Sequence, residues 1–268
     1  MPIRTAIPII KPTEQEFYEL DHRVTGFAFQ IHNEYGRLLD EEIYKCELAR
    51  RCEQAGLPVV REMQVTFTHA GFRKDYFADL MIRSGLPVEA KATEQLVGAN
   101  TAQTLGYLFA CDLEHGTLLN FRPPKVEHEF VSTRLNTKER RRIRVHDDRW
   151  ERAHPEMQSL QKLMLELLHD WGAYLEVPLY REALAFLING QEKVGRRVEV
   201  FSGESVIGVQ PVNLLTDDVA FSVTAVTRSP QQMEGHLQLF LNHTRLEAIA
   251  WINLHHADIT FTTLRKAK

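Results

Sequence analysis

The sequence predicts an α/β protein of two tandem domains, each a mixed central sheet flanked by helices. Three observations carry that prediction. The first half reads helix, helix, strands, helix, strand, strand. The second half repeats that order after a charged interlude, as an internal repeat would. And 268 residues with 44% hydrophobic content suit one large core or two small ones. The expected boundaries are 1–136 for the first domain, 137–155 for a basic linker and 156–268 for the second domain.

Thr13-Glu14-Gln15-Glu16 opens the first helix, because threonine with glutamate three residues on can cap a helix start reciprocally. Phe17, Leu20, Val24, Phe27, Ala28 and Ile31 then recur at helical spacing, up to Gly36. A second helix carries Leu39, Ile43, Leu48 and Cys52 inward and Arg50, Arg51 and Glu53 outward, and Gly56-Leu57-Pro58 stops it. Gln64 to His69 alternates as a strand, and Ala70-Gly71 turns the chain. Tyr76 to Ile82 and Leu86 to Ala92 follow as short apolar strands joined at Arg83-Ser84-Gly85. A helix is expected from about Asn100 to Cys111, then a buried strand over Leu118 to Phe121. Pro123-Pro124 breaks it, and Val126 to Ser132 is a last strand.

Charges interrupt the apolar hairpin. Asp79 sits in its first strand; Glu89 and Lys91 sit two apart in its second, on one face. A charge in an apolar strand is costly unless it is paired or binds metal. Two readings fit: a compact hard-oxygen site suited to Mg²⁺ or Mn²⁺, or a surface hairpin whose acids and lysine pair with each other. Two helical pairs accompany it. Glu41 and Tyr44 lie a turn apart, as do Gln103 and Tyr107 on the helix after Lys91. Taken singly, Glu41 reads as a solvated charge, Gln103 as a surface amide and the tyrosines as core rings with wet hydroxyls.

A net charge of −4 argues against a generally basic nucleic-acid coat but leaves room for a local basic groove. Cys46, Cys52 and Cys111 form no closed disulfide set and lack metal-ligand spacing, which fits a reducing compartment. No stretch reaches the roughly 20 apolar residues of a membrane span. Met1-Pro2-Ile3-Arg4 shows no secretory pattern, so a cytoplasmic location without membrane contact is expected.

Together, Gly36…Glu41-x-x-Tyr44, Ala78-Asp79, Glu89-Ala90-Lys91 and Gln103-x-x-x-Tyr107 resemble the GxxExxY proteins of the PD-(D/E)xK nuclease superfamily, with the Q-x-x-x-Y helix of its RecB-like branch. The resemblance runs from about Gly26 to Leu135 and includes Asn120-Phe121. Leu38 stands where the name has its glycine, and Ala78 where the motif has proline; neither change removes a charged group. The resemblance implies restriction-endonuclease-like domains and a Mg²⁺-dependent (or Mn²⁺-dependent) nuclease acting on nucleic acid, with DNA as the expected substrate. By the same resemblance, Asp79, Glu89 and the Ala90 carbonyl would hold the metal, and Glu41 would complete its shell or hold a water. Lys91 would position the attacking water and stabilise the phosphate, and Gln103 would anchor the site from its helix. Tyr107 is a candidate nucleic-acid contact. A non-catalytic nucleic-acid- or protein-binding module that kept the fold is the alternative.

Lys138-Glu139-Arg140-Arg141-Arg142-Ile143-Arg144 is strongly basic. It reads as a solvated linker, with Arg140, Arg141, Arg142 and Arg144 as candidate phosphate contacts. From Met157 the grammar of the first half returns. Leu160, Leu163, Leu167 and Leu168 lead to Gly172, at the place of Gly36. Leu179 to Ala185 lies over Ile43 to Ala49. After a short gap, Val198 to Phe201 lies over Val65 to Thr68, and Val219 to Ala225 over Leu86 to Ala92. His236 to Leu241 then lies over Gln103 to Leu108, and Ile252 to Leu254 over Leu119 to Phe121. On that overlay Val177, Val212, Ser222, Thr224 and His236 replace Glu41, Asp79, Glu89, Lys91 and Gln103. The apolar frame persists because packing requires it, while every candidate catalytic position has changed. The second half therefore reads as a degenerate copy, pairing with the first within the chain or leaving that role to a homodimer.

Overall fold

The computed structural model describes residues 2–152, 154–189 and 195–266. The chain divides into two compact units, Met1–Thr68 with Arg73–Glu139, and His69–Phe72 with Arg140–Lys268. Two mixed sheets of six strands each, flanked by helices, form the architecture. No helix among the described residues is long and apolar enough to cross a membrane.

The first half of the chain forms β1 (Ile3–Thr5), α1 (Glu14–Tyr35), α2 (Glu41–Gln54), β2 (Val59–His69), β3 (Phe72–Ile82), β4 (Leu86–Lys91), α3 (Gly98–Cys111), β5 (His115–Asn120) and β6 (Glu127–Ser132). Its sheet order is β1-β2-β3-β4-β5-β6. β4 is the pivot. It runs antiparallel to β3 and parallel to β5, and α3 supplies the crossover that a parallel pair needs. β4 is buried from Leu86 to Ala90, as expected of a strand covered on both faces.

α1 starts with the predicted cap. The Thr13 hydroxyl accepts the Glu16 N–H, and the Glu16 carboxylate accepts the Thr13 N–H. Its apolar face, including Phe17, Val24 and Ile31, shares one core with Leu48 of α2, Leu80 of β3, Val88 of β4 and Leu119 of β5. The inward face of α2 holds Leu48 and Cys52 as expected, but Tyr44 is buried in place of Ile43, which is exposed. The Tyr44 ring stacks on Phe121, and its hydroxyl donates to the Gly36 carbonyl at 2.8 Å. Gly36 sits at φ 71°, where glycine pays no side-chain penalty, so α1 can end and α2 begin within a few residues. β1 was not expected. It pairs with β2 along only three residues, too few to show a period.

The chain continues with α4 (Thr137–Arg140), β7 (Arg144–Arg149), α5 (Pro155–Trp171), α6 (Val177–Asn189), β8 (Arg196–Ser202), β9 (Ser205–Leu214), β10 (Val219–Thr224), α7 (Pro230–Asn242), β11 (Ala248–His255) and β12 (Asp258–Arg265). The second sheet has the order β7-β12-β11-β10-β9-β8. Read from β8, the run β8-β9-β10-β11-β12 repeats the order β2-β3-β4-β5-β6. Registers repeat as well. Leu80 pairs with Val88, and Asn213 with Phe221. Lys91 pairs with Asn120 across a parallel ladder, and Thr224 with Asn253. His115 pairs with Ser132, and Ala248 with Arg265.

Side-chain clamps recur at the same places. The Asn120 amide brackets the backbone N–H and C=O of Thr93, and Asn253 brackets those of Val226. The Tyr180 hydroxyl donates to the Gly172 carbonyl as Tyr44 does to Gly36. The two sheets differ at their edges: β1 flanks β2 in the first, and β7 lies parallel to β12 in the second.

The expected linker over 137–155 is corrected by this arrangement. Thr137–Arg140 is helical, and Arg144–Arg149 is an edge strand whose backbone bonds belong to the β12 ladder. The basic run misled because edge strands carry charges on their exposed sides. Arg144 makes a two-pronged ion pair with Asp258, at 2.7 and 2.5 Å, and Arg149 does the same with Glu234. Arg140, expected as a phosphate contact, is fully buried. Its guanidinium donates to the Trp171 carbonyl at 2.9 Å and the Ala173 carbonyl at 3.2 Å, around the Gly172 turn. Gly172 sits at φ 82°, and a side chain there would also collide with Arg140, so the turn has two reasons for glycine. Arg141 donates to the Asp170 carbonyl, and Arg142 is exposed.

Arg140→Met should therefore destabilise the protein by about 2 kcal/mol, because two buried carbonyls lose a charged donor. A urea titration reads this as a lowered midpoint. An unchanged midpoint would mean that Arg140 does not organise the turn.

Candidate active site

The site grows from the point where β3 and β4 part. The ladder between them covers Ile82 to Leu80 and stops. Beyond it, side chains take over the hydrogen bonding. The Asp79 carboxylate accepts the Ala90 N–H at 3.0 Å, and the Glu89 carboxylate accepts the Asp79 N–H at 3.3 Å. Both acids are thus fixed by backbone and buried: residue exposure is 7% for Asp79 and 0% for Glu89.

α2 brings the rest. Glu41 is its first residue, placed by the Tyr44 clamp three residues on. Its carboxylate accepts the Ala92 N–H at 3.3 Å, just past the end of β4. Lys91 completes the group. Its ammonium lies 3.3 Å from Glu89, 3.6 Å from Asp79 and 3.9 Å from Glu41. Asp79, Glu89, Lys91 and Glu41 are therefore brought together from three separate elements.

Lys45 belongs to the same cluster, and sequence reasoning missed it. Its ammonium lies 3.2 Å from Asp79 and from Glu42, and 3.7 Å from Glu41 and from Glu62. The available signal was its spacing, one turn after Glu41 on the same helix face. Glu62 reaches it from β2 at φ 48°, a conformation that non-glycine residues seldom adopt.

Gln103 and Tyr107 act together in another way. Tyr107 is buried, and its hydroxyl donates to the Phe77 carbonyl at 2.7 Å. The expectation of a nucleic-acid contact at Tyr107 is thereby corrected: the ring ties α3 to β3 two residues before Asp79. Burial pushes its hydroxyl pKa up, and Gln103 hydrogen-bonds to the same hydroxyl. Gln103 itself is exposed, so it touches the clamp rather than the carboxylates.

The electrostatics follow from crowding. Burial, and then the negative charge of Asp79, raise the Glu89 pKa to about 8; Lys91 offsets only part of this. Burial pulls the Lys91 pKa down, but Glu89, Asp79 and Glu41 outweigh it and the net shift is upward. Lys45 shifts upward in the same way, with Asp79 the main attraction against burial. Both lysines are ammonium ions at neutral pH.

Among the described residues, no three His, Cys, Asp or Glu side chains converge as a ready-made metal set. Mg²⁺ does not require one. It is commonly held by one or two carboxylates, with waters and substrate phosphates filling the octahedron. Asp79 and Glu89 are two such carboxylates, and the Ala90 carbonyl is a donor of the same hard class. Burial first, and the neighbouring Asp79 charge second, make an ionised Glu89 costly without a further cation beside it. A divalent cation fits that donor set.

Residues 18–133 match the family model of the PD-(D/E)XK nuclease superfamily, a span that contains Glu41, Lys45, Asp79, Glu89 and Lys91. No curated protein and no solved structure matches the chain.

Proposed function

We propose that the first unit is a divalent-metal-dependent nuclease that hydrolyses phosphodiester bonds of nucleic acid, with DNA as its substrate. On the motifs described above, it belongs with the GxxExxY proteins and the RecB-like branch of the superfamily that residues 18–133 match. The second unit is a degenerate copy without the catalytic set. The free thiols Cys46, Cys52 and Cys111 favour a cytoplasmic setting.

One observation carries the reading: two buried carboxylates lie side by side where β3 and β4 part, with the Lys91 ammonium within 3.6 Å of both. Structural ion pairs rarely bury two acids against each other, because the repulsion is costly. A metal site needs that arrangement.

Asp79, Glu89 and the Ala90 carbonyl would hold Mg²⁺ or Mn²⁺. Such an ion polarises a phosphate and lowers the pKa of bound water. The protein's own residues do the rest. Lys91 keeps its proton, so it serves as a donor: it orients the attacking oxygen and meets charge growing on the phosphate. Glu41, the most exposed of the three acids, holds water at the mouth. Lys45 neutralises the outer oxygen of Asp79. Tyr107 and Gln103 fix the strand that carries Asp79.

The test is incubation of the whole chain with supercoiled plasmid, single-stranded DNA and RNA, in Mg²⁺, Mn²⁺ or EDTA. DNA cleavage that requires metal is the expected result. Cleavage confined to RNA would reassign the substrate. Binding without cleavage in either metal would replace the enzyme with a non-catalytic binding module.

A further inference from the structure

The second unit keeps a cleft at the place of the first unit's carboxylates, with its charge reversed. By strand register, Val212 and Ser222 stand where Asp79 and Glu89 do. A cavity of about 320 Å³ opens there, lined by Val212 and Ser222 together with Arg181, Gln210, Leu237 and Phe240. Arg181 on α6 holds the position of Lys45 on α2, directly after the clamp tyrosine in each case.

The substitutions remove every acid and spare one cation. The acids around Lys45 are Glu41, Glu42, Glu62 and Asp79. Their counterparts on the same overlay are Val177, Pro178, Gly195 and Val212, and Ser222 replaces Glu89. Every carboxylate is gone and Lys91 has become Thr224, while the cation at the place of Lys45 is kept as arginine. Arg181 is exposed and, among the described residues, has no ion-pair or hydrogen-bond partner. None of the residues that line the cavity is acidic.

Other positions of the old site have been absorbed into the frame. The Thr224 hydroxyl, at the place of Lys91, donates to Asn253 and accepts from the Trp251 indole. Val223 stands at the place of Ala90, whose N–H the Asp79 carboxylate accepts. With valine at 212, no carboxylate meets that amide. A hydroxyl at Ser222 and an amide at Gln210 remain beside the arginine.

A planar guanidinium without a counter-ion matches phosphate, which it can grip with two parallel hydrogen bonds. Leu237 and Phe240, partly buried against the core of this unit, line the same cavity and give it an apolar, partly aromatic surface on which a base can lie. We propose that this cleft is a metal-independent binding site for a nucleotide unit, with its phosphate on Arg181 and Ser222 and its base against Phe240. The unit is either a free nucleotide or one residue of a single strand. The proposal goes beyond the nuclease reading and rests on the register of the second sheet.

The experiment uses the whole chain in EDTA. dAMP is titrated by calorimetry, and a fluorescein-labelled single-stranded oligonucleotide by anisotropy. Arg181→Ala should weaken binding roughly tenfold, as loss of charged hydrogen bonds does. Ser222→Leu should weaken it comparably by filling the cleft. Thermal melting confirms that each variant is folded. Weakened dAMP binding identifies a free-nucleotide site; weakening confined to the oligonucleotide identifies a strand site. Wild-type affinity for both probes in both variants overturns the proposal. Asp79→Asn separates the two readings, since retained cleavage in that variant would remove the nuclease mechanism and leave this result standing.

Discussion

Asp79→Asn loses metal-dependent cleavage by roughly 10³-fold or more, and Lys91→Met loses a comparable factor while still binding Mn²⁺. The two substitutions separate a ligand from a donor. Asparagine has the shape of aspartate, and its carbonyl oxygen can still accept the Ala90 N–H that Asp79 accepts at 3.0 Å. The parting of β3 and β4 is therefore kept, and what disappears is an anionic oxygen. Methionine at 91 keeps an apolar stem against the strand but removes an ammonium that lies 3.3 Å from Glu89 and 3.6 Å from Asp79. That ammonium repels a metal ion, so its loss should leave Mn²⁺ affinity equal or tighter. Calorimetric Mn²⁺ titration and cleavage rates on the same preparations decide the matter. Asp79→Asn cleaving at the wild-type rate would eliminate this metal site. Lys91→Met losing Mn²⁺ as completely as Asp79→Asn would make the lysine a structural prop for the carboxylates.

The parts of the site that were legible in the sequence share one property: their neighbours in sequence expose the anomaly. Asp79, Glu89 and Lys91 interrupt apolar strands, and a strand's period of two places Glu89 and Lys91 on one face without further information. Lys45 offered no such contrast. A lysine one turn after a glutamate is the commonest kind of surface helix pair, and only the fold puts Asp79 and Glu62 beside it. Tyr107 and Arg140 failed for the opposite reason. Each was read as available to a nucleic acid, yet each is bound to backbone carbonyls distant in sequence, Phe77 for the one and Trp171 and Ala173 for the other. Whether a polar side chain faces water depends on long-range contacts that local pattern does not encode. The apolar frame was legible twice over, since two copies of one register must satisfy the same packing, whereas the short edge strands β1 and β7 leave no periodic trace.

Glu89→Gln should make the metal-free protein more stable, and more so as the pH rises. Burial and the adjacent Asp79 charge raise the Glu89 pKa to about 8 in the folded protein, against 4.5 for an unperturbed glutamate. The folded state therefore holds a proton that the unfolded state releases, and stability falls as pH rises from about 4.5 to about 8. Above that window the whole cost is present. Conversion of the shift gives a cost on the order of 5 kcal/mol, and almost no solvent reaches the group to screen it. Glutamine is neutral at every pH and can still accept the Asp79 N–H through its carbonyl. Denaturant titrations in EDTA should thus show wild type and variant nearly equal at pH 4.5. They should diverge steadily to pH 8 and run parallel beyond it. Added Mg²⁺ should restore much of the wild-type stability at high pH, because the cation supplies the missing positive charge, and should do little for the variant. Curves that stay parallel from pH 4.5 to 8 would show that Glu89 carries no such burden, and the case for two uncompensated acids waiting on a metal would fall with it.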